Sequence, residues 1–114
     1  MTTKAQISWS DFKKIDIRTG TVLSARLLPE ARQPAYVLDI DFGPLGILKS
    51  SAQITDRYSI EQVVGKSICA VVNFPPKQIG KLMSQCLVLG AVDPHGSVRL
   101  LDPGSTCPAG LPVS

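Results

Sequence analysis

Two polar segments contain the side chains best suited to binding an extended ligand. One is the run Lys49-Ser50-Ser51-Ala52-Gln53, which offers ammonium, hydroxyl and amide donors at the end of a strand-like segment. The other, Asn73-Phe74-Pro75-Pro76-Lys77, offers a carboxamide, an aromatic ring and a cation. Amides and hydroxyls pair with polar edges and a ring provides a stacking plane, so this mixture suits a peptide backbone or a nucleotide. The alternative is that both segments are ordinary solvent-exposed loops.

The residues that usually perform catalysis or hold metals are present but not arranged for it. Asp39 and Asp41 alternate along one strand, which is typical of a solvated strand face; acid–base work by a carboxylate pair is the alternative. His95 lies in a predicted turn. The three cysteines and one histidine match no zinc or redox spacing, so we expect the cysteines to be structural. No phosphate-binding glycine loop is present. We therefore predict no enzymatic activity, no cofactor and no bound metal.

The composition indicates one small globular domain. A chain of 114 residues fits a single domain, so residues 1–114 are assigned to it. Charged residues make up only 18%, which suggests that a partner covers some apolar surface. The net charge of +3 permits contact with an anion but does not require it. Without a membrane-length apolar run or a signal-peptide core, we expect a cytoplasmic protein that does not insert into membranes.

The pattern of apolar residues and turns predicts a small β-barrel. Apolar runs predict strands over residues 15–28, 36–42, 47–51, 68–73, 86–92 and 98–101. Gly20 interrupts the first run, which predicts a bulge or bend there. Ser59 and Gln62 have the spacing of a capping box, so a short helix is expected from Ser59, ending at Gly65. An all-β chain with five or more strands and one short helix between strands three and four is typical of a five-stranded OB-fold barrel.

The segments that flank the predicted strands are candidates for self-association. Ser8 or Ser10 would cap a short helix or turn that carries apolar side chains. The proline-rich segment 102–114 is expected to be extended and unpaired, and residues 74–85 are expected to form a polar loop. Exposed apolar side chains in these flanks are commonly buried in an interface, so we predict a homodimer in which residues 1–14 and 102–114 contact the partner. The predicted interface residues are Trp9, Phe12, Pro103 and Pro108.

Three motifs occur together over nearly the whole sequence. They are Asp16-Ile17-Arg18-Thr19-Gly20, Tyr36 through Gly43, and Asn73 through Pro76 followed by Ser84. With these motifs the sequence resembles the tRNA-binding domain family, an OB-fold module appended to some aminoacyl-tRNA synthetases. Within that family it is most similar to the free-standing bacterial members described as secretion chaperones. That similarity is carried by Pro29-Glu30-Ala31-Arg32, by Ser50 through Thr55 with Arg57-Tyr58, and by Ala70 through Pro76.

The resemblance implies a non-catalytic homodimer that binds unfolded or exported polypeptides. Binding of tRNA, inherited from the wider family, is the alternative. The candidate partners are therefore unfolded or preprotein polypeptide, tRNA and the protein export machinery. Two positions depart from the family pattern. Ser50-Ser51 replaces the Ser-Gly pair of the appended tRNA-binding modules, which favours the chaperone. Lys81 stands where relatives commonly have glycine, with Gly80 one position earlier.

One groove is predicted to serve either ligand. A peptide would pair with Gln53 and Asn73 and pack on Phe74 and Pro76, whereas RNA would use lysines and an arginine to contact phosphates. The full predicted groove comprises Lys49, Ser50, Ser51, Gln53, Arg57, Asn73, Phe74, Pro76, Lys77, Lys81 and Ser84.

Overall fold

The structure, a computed structural model, describes residues 2–29 and 31–114. Met1, at the start of the predicted N-terminal flank, and Glu30, in the 29–32 motif, lie outside the described residues. In chain order the elements are α1 (Trp9–Lys13), β1 (Ile17–Leu27), β2 (Tyr36–Asp41), a 3-10 helix (Gly43–Leu45), β3 (Ile47–Ala52), α2 (Ile60–Val63), β4 (Ser67–Val71), β5 (Lys77–Ile79), β6 (Leu82–Ser84), β7 (Leu87–Val88), β8 (Gly90–Val92), β9 (Val98–Leu100) and β10 (Pro112–Val113).

Five strands form a nearly closed antiparallel barrel in the order β3-β2-β1-β4-β7. Hydrogen bonds between Lys49 and Gln85 bridge the gap between β3 and β7. The Gln85 N–H donates to the Lys49 carbonyl (2.8 Å), and the Gln85 side-chain oxygen accepts from the Lys49 N–H (2.9 Å). α2 lies in the chain between β3 and β4. The predicted OB-type barrel with one helix in that position is confirmed.

The barrel interior is filled by side chains from alternate strand positions. Leu38, Ile40 and Phe42 are fully buried and pack against Ile68 and Ala70 of β4. This arrangement follows from the two-residue period of a strand, which places every second side chain on the same face. Burying an aromatic or branched side chain of this kind stabilises the fold by about 1.5–3 kcal/mol.

The outer face of β2 is not uniformly solvated, because a second apolar cluster forms there. Val37 points away from the barrel interior yet is only 1% exposed. It packs with Leu28, Ala35 and Leu82, and Ile79 joins from the β5–β6 hairpin. The hairpin therefore covers one end of the β1–β2 pair from outside.

Gly20 is required by close packing and not by a bulge. A Cβ atom at this position would lie 2.7 Å from Ile40 Cγ2 and 2.8 Å from Phe42 Cε1, distances too short for any side chain. The register shift of β1 instead falls between Val22 and Ser24. The prediction of a bulge at Gly20 was wrong, since β1 pairs with β4 without interruption there; a glycine within a strand can instead mark a close approach by neighbouring side chains.

Both predicted helix starts are capped by serine. Ser8 and not Ser10 caps α1, through a capping box with Asp11. Ser59 caps α2: its hydroxyl accepts from the Gln62 N–H (3.3 Å), and its own N–H donates to the Gln62 side-chain oxygen (2.8 Å).

Three segments differ from the sequence prediction. The expected loop 74–85 contains the β5–β6 hairpin, whose two-residue turn begins at Gly80 with a φ of +61°. The expected strand 86–92 divides into β7 and β8, because the pairing partner changes at Leu89 from β4 to β9: its N–H donates to the Cys69 carbonyl and its carbonyl accepts from the Leu101 N–H. The proline-rich tail is not unpaired, since β10 pairs with β1 where β2 leaves that strand uncovered.

Candidate functional site

An apolar pocket of about 330 Å³ opens between the end of β3 and the β5–β6 hairpin. Phe74 stands at its edge with 55% of its surface exposed. We call it the Phe74 pocket and define it by its lining residues, which are Ser51, Phe74, Pro75, Lys77, Ile79, Ser84, Cys86 and Leu87. Its size and mostly apolar wall suit one or two apolar side chains of a ligand.

The polar groups beside this pocket close the barrel wall. The Ser84 hydroxyl accepts from the Ser51 N–H (3.3 Å) and donates to the Cys86 carbonyl (3.3 Å). Together with the Gln85–Lys49 bonds, these contacts replace the regular ladder that β3 and β7 do not form. The Ser84 hydroxyl is therefore already used within the fold.

The Lys49 ammonium group is committed to an ion pair on the outer face of the sheet. Its Nζ lies 2.5 Å from Asp39 Oδ1, and the Ser24 hydroxyl donates to the other oxygen of that carboxylate (2.8 Å). The hydrogen bond from Lys49, followed by that from Ser24, lowers the pKa of Asp39 from its ordinary value. The position of this ion pair agrees with the solvated strand face predicted from the alternation of Asp39 and Asp41.

Ser50 lies inside the barrel and cannot reach a ligand in the pocket. Its side chain is fully buried, and its hydroxyl donates to the Ser51 carbonyl (2.9 Å). Strand alternation turns Ser50 inward and Ser51 outward, so of this pair only Ser51 lines the pocket.

Asn73 fastens the N-terminal segment to the end of β4. Its Nδ2 donates to the Lys14 carbonyl (2.7 Å), and its Oδ1 accepts from the Asp16 N–H (3.0 Å). The carboxamide expected to bind a peptide backbone is thus occupied by the chain itself. Phe74, the next residue, lines the pocket.

The other predicted groove residues do not gather in one place. Gln53 borders a neighbouring groove between β3 and β8, and Arg57 lies apart, beside Tyr58 and Lys66. Pro76 and Lys81 are exposed but do not line the pocket, where Pro75 takes the place expected of Pro76. The structure therefore brings together four of the predicted residues: Ser51, Phe74, Lys77 and Ser84.

Sequence reasoning missed four lining residues, Pro75, Ile79, Cys86 and Leu87. Burial raises the pKa of the Cys86 thiol to about 11, so this cysteine is protonated at neutral pH. Ile79 could have been found from its position one residue before Gly80, since an apolar residue before a two-residue turn is typical of a hairpin. Leu87 carried no comparable signal.

A second apolar surface is formed where the two ends of the described chain meet. We call it the terminal face and define it by Trp9, Phe12, Ile15, Pro112 and Val113, which line one depression. Trp9 is 85% exposed. Of the predicted interface residues, Trp9 and Phe12 lie on this face. Pro103 and Pro108 do not line it.

The described residues show no constellation for metal binding. Within residues 2–29 and 31–114, no three side chains of His, Cys, Asp or Glu are grouped so that they could hold a metal ion. Among the helices of this same part of the chain, none has the length and apolar character needed to cross a membrane.

The family model that matches the chain is described as a putative tRNA binding domain and covers residues 17–112. Among curated proteins, a methionine–tRNA ligase of Porphyromonas gingivalis strain W83 is 36% identical over 107 residues, which are 94% of this chain and 15% of the ligase. A ligase of Bacteroides fragilis is 32% identical over 111 residues, 96% of this chain and 16% of that protein. The chain thus spans about one sixth of the length of these relatives.

Two solved structures resemble the whole barrel with its flanks. The chaperone CsaA of Bacillus anthracis strain Ames is 49% identical with a TM-score of 0.91, and the CsaA chaperone of Picrophilus torridus is 45% identical with a TM-score of 0.89. Each alignment covers 96% of this chain and 100% of the other. The chain therefore belongs to the tRNA-binding domain family, as a member of the CsaA type.

Proposed function

We propose that the protein is a non-catalytic chaperone that binds unfolded or exported polypeptides in the Phe74 pocket. The observation that carries this proposal is the apolar pocket itself, with a half-exposed aromatic ring at its edge. The similarity to two structures named as CsaA chaperones supports it. The proposal places the protein in the cytoplasm and makes the export machinery a candidate partner.

Recognition in this pocket depends mainly on apolar contact. The Ser84 hydroxyl and the Ser51 N–H already bond to each other, so they offer little to a peptide backbone. Burying one apolar side chain of the client contributes about 1.5–3 kcal/mol. One or two such contacts give weak binding with little sequence preference, which suits a protein with many clients.

The proposal includes a homodimer formed through the terminal face. Five apolar side chains meet there, and Trp9 is almost fully exposed. A two-fold partner would cover them with an identical surface. Because Trp9 is the only tryptophan, its fluorescence should shift to the blue as concentration rises through the dimerisation range. Light scattering that finds a monomer at micromolar concentration would remove this part of the proposal.

The pocket is tested by Phe74→Ala, with Leu45→Ala as the matched control. Leu45, on the 3-10 helix, is exposed to a similar degree but lies outside the pocket. We expect Phe74→Ala to weaken binding of a fluorescently labelled unfolded preprotein at least fivefold, and Leu45→Ala to leave it unchanged. Equal affinities for the two variants would place the polypeptide site elsewhere.

Binding of tRNA is the second candidate function, because the family model and the methionine–tRNA ligases point to it. On the surface of the molecule, Lys77 places a cation beside the exposed ring of Phe74. A phosphate could meet the ammonium group while a base stacks on the ring.

Salt dependence separates the two functions. Phosphate contacts release counterions, so affinity for bulk tRNA should fall steeply with salt, whereas burial of apolar side chains should not. We expect Lys77→Ala to reduce the slope of log affinity for tRNA against log salt concentration by roughly the amount that one phosphate contact contributes. The control is Arg99→Ala, which removes the same charge from an exposed position on β9 and should leave this slope unchanged. A shallow slope in the unmodified protein would argue against a phosphate-binding function.

A further inference from the structure

Cys69 lies on the outer face of the barrel beneath the C-terminal tail. It is the cross-strand partner of Thr19, and opposed residues of an antiparallel pair point to the same face. That face is the outer one, because the neighbouring Gly20 is turned towards Ile40 and Phe42 in the core. The Thr19 N–H donates to the Leu111 carbonyl and not to β4, so Thr19 and Cys69 form a non-hydrogen-bonded pair. The Cα atoms of such a pair are about 4.5 Å apart.

Thr19 also binds the tail segment that contains Cys107. Its hydroxyl donates to the Pro108 carbonyl (2.8 Å), and the Cys107 thiol approaches the same carbonyl oxygen (3.6 Å). One carbonyl thus connects the Thr19 side chain with the Cys107 sulfur. Cys69 and Cys107 are therefore both neighbours of Thr19, on the same side of the sheet.

The backbone before Cys107 and the charge environment of Cys69 agree with this placement. Thr106 has a φ of +65°, an unfavourable value for a β-branched residue, and the chain makes a tight turn immediately before Cys107. The pKa of Cys69 is raised, first by burial and then by the nearby Cys107 and Asp102. Cys86, in contrast, packs inside the barrel core, so the sheet lies between it and the tail.

We propose that Cys69 and Cys107 form an intramolecular disulfide when the protein meets a small-molecule disulfide such as oxidised glutathione. The more exposed Cys107 reacts first. Its thiolate attacks one glutathione sulfur and releases the first glutathione as a thiolate. The Cys69 thiolate then attacks the Cys107 sulfur of the mixed disulfide and releases the second glutathione. The two protein thiols lose two electrons and two protons, and the oxidant leaves as two reduced glutathione molecules.

The bond would fasten the tail that carries Pro112 and Val113 of the terminal face. Cross-linking residues 69 and 107 removes conformational freedom from the unfolded chain, so the oxidised protein should melt about 5 °C or more above the reduced protein. Oxidation would thereby strengthen the side of the molecule that we propose for dimerisation.

Peptide mapping after oxidation tests the proposal, because trypsin separates the three cysteines. Cys69 falls in the tryptic peptide 67–77, Cys86 in 82–99 and Cys107 in 100–114. The protein is incubated with oxidised glutathione, denatured, alkylated without reduction and digested. We expect peptides 67–77 and 100–114 to be linked, peptide 82–99 to be alkylated, and the free thiols to fall from three to one. Reduction before digestion should abolish the link.

Two variants provide the controls. Cys107→Ser should not form the link or show the higher melting temperature, whereas Cys86→Ser should show both. The unmodified protein already distinguishes all three cysteines, so the result does not depend on either variant folding. Peptide 100–114 linked to itself between copies, Cys107 carrying glutathione alone, or full alkylation of both cysteines would each overturn the proposal.

Discussion

The Phe74 pocket and the terminal face are both apolar, but their polar surroundings are used differently. Around the pocket, Ser84 and Gln85 bond to Ser51 and Lys49 of β3 and so close the gap between β3 and β7. At the terminal face the N-terminal segment is held by the two Asn73 bonds, by the Val72 N–H donating to the Asp16 carbonyl (2.9 Å) and by the Arg18–Asp16 ion pair. In both regions polar groups that look suited to a ligand bond within the chain, and aromatic rings are exposed beside them. The contacts at the pocket close a gap in the barrel wall, whereas those at the terminal face hold a segment that precedes the first barrel strand.

The largest expected effect is at the pocket wall. Ser84→Ala removes the acceptor of the Ser51 N–H and the donor to the Cys86 carbonyl within a largely buried site. Leaving such groups unsatisfied should lower the free energy of unfolding by about 1–3 kcal/mol. Urea denaturation measures the change, with the exposed Ser105→Ala as control. A variant as stable as the control would mean that the wall does not depend on this hydroxyl.

The second effect is expected at the terminal face. Asn73→Ala removes two hydrogen bonds from an exposed site, so we expect a loss of about 1 kcal/mol. The freed segment should be cut by trypsin after Lys14 several times faster than in the unmodified protein. Gln78→Ala removes one exposed side-chain bond, to Gly80, and serves as control. Unchanged proteolysis would show that Asn73 does not hold the segment.

The smallest effect is expected at the ion pair between Lys49 and Asp39, which occupies the ammonium group that could otherwise bind a ligand. The folded pKa of Asp39 is lowered, so its contribution is present above the ordinary value of 3.8 and is lost as the pH falls through the lowered value. For a partly exposed pair this contribution is at most about 1 kcal/mol. Asp39→Asn should therefore lose less stability than the unmodified protein between about pH 5 and about pH 2.

Acid titration of the unfolding free energy measures the difference. Asp56→Asn, which removes the same charge from an exposed loop residue, is the control. If the free energy of unfolding depends on pH in the same way for both variants, Asp39 does not hold Lys49. Lys49 would then again be a candidate for binding phosphate.

Much of the barrel could be predicted because its signals are local. The alternation from Tyr36 to Phe42 and the capping box at Ser59 each depend on a few neighbouring residues. The single helix between the third and fourth strands then pointed to the fold class. The structure also brings Ser51, Phe74, Lys77 and Ser84 together around one pocket, and their use as a binding site stays a prediction.

The rest depended on contacts between distant parts of the chain. Nothing near Asn73 in the sequence indicates that its carboxamide bonds to residues 14 and 16. The tail became a strand only because β1 offers a free edge there. Ser50 faces inward because the register of β3 against β2 puts it opposite Leu38, and the serine itself carries no sign of that.

The close approach at Gly20 restricts the order in which substitutions can be accepted. An alanine at this position collides with Ile40 and Phe42, so on its own it should be strongly destabilising. Replacing Phe42 by leucine removes the contact with the ring, whereas the 2.7 Å contact with Ile40 Cγ2 remains, so the replacement relieves only part of the collision. The two changes should therefore be non-additive, and the double variant Gly20→Ala with Phe42→Leu should be more stable than the sum of the single effects allows. A side chain at position 20 thus requires changes at both core positions that it would meet, so substitutions here are accepted in a restricted order.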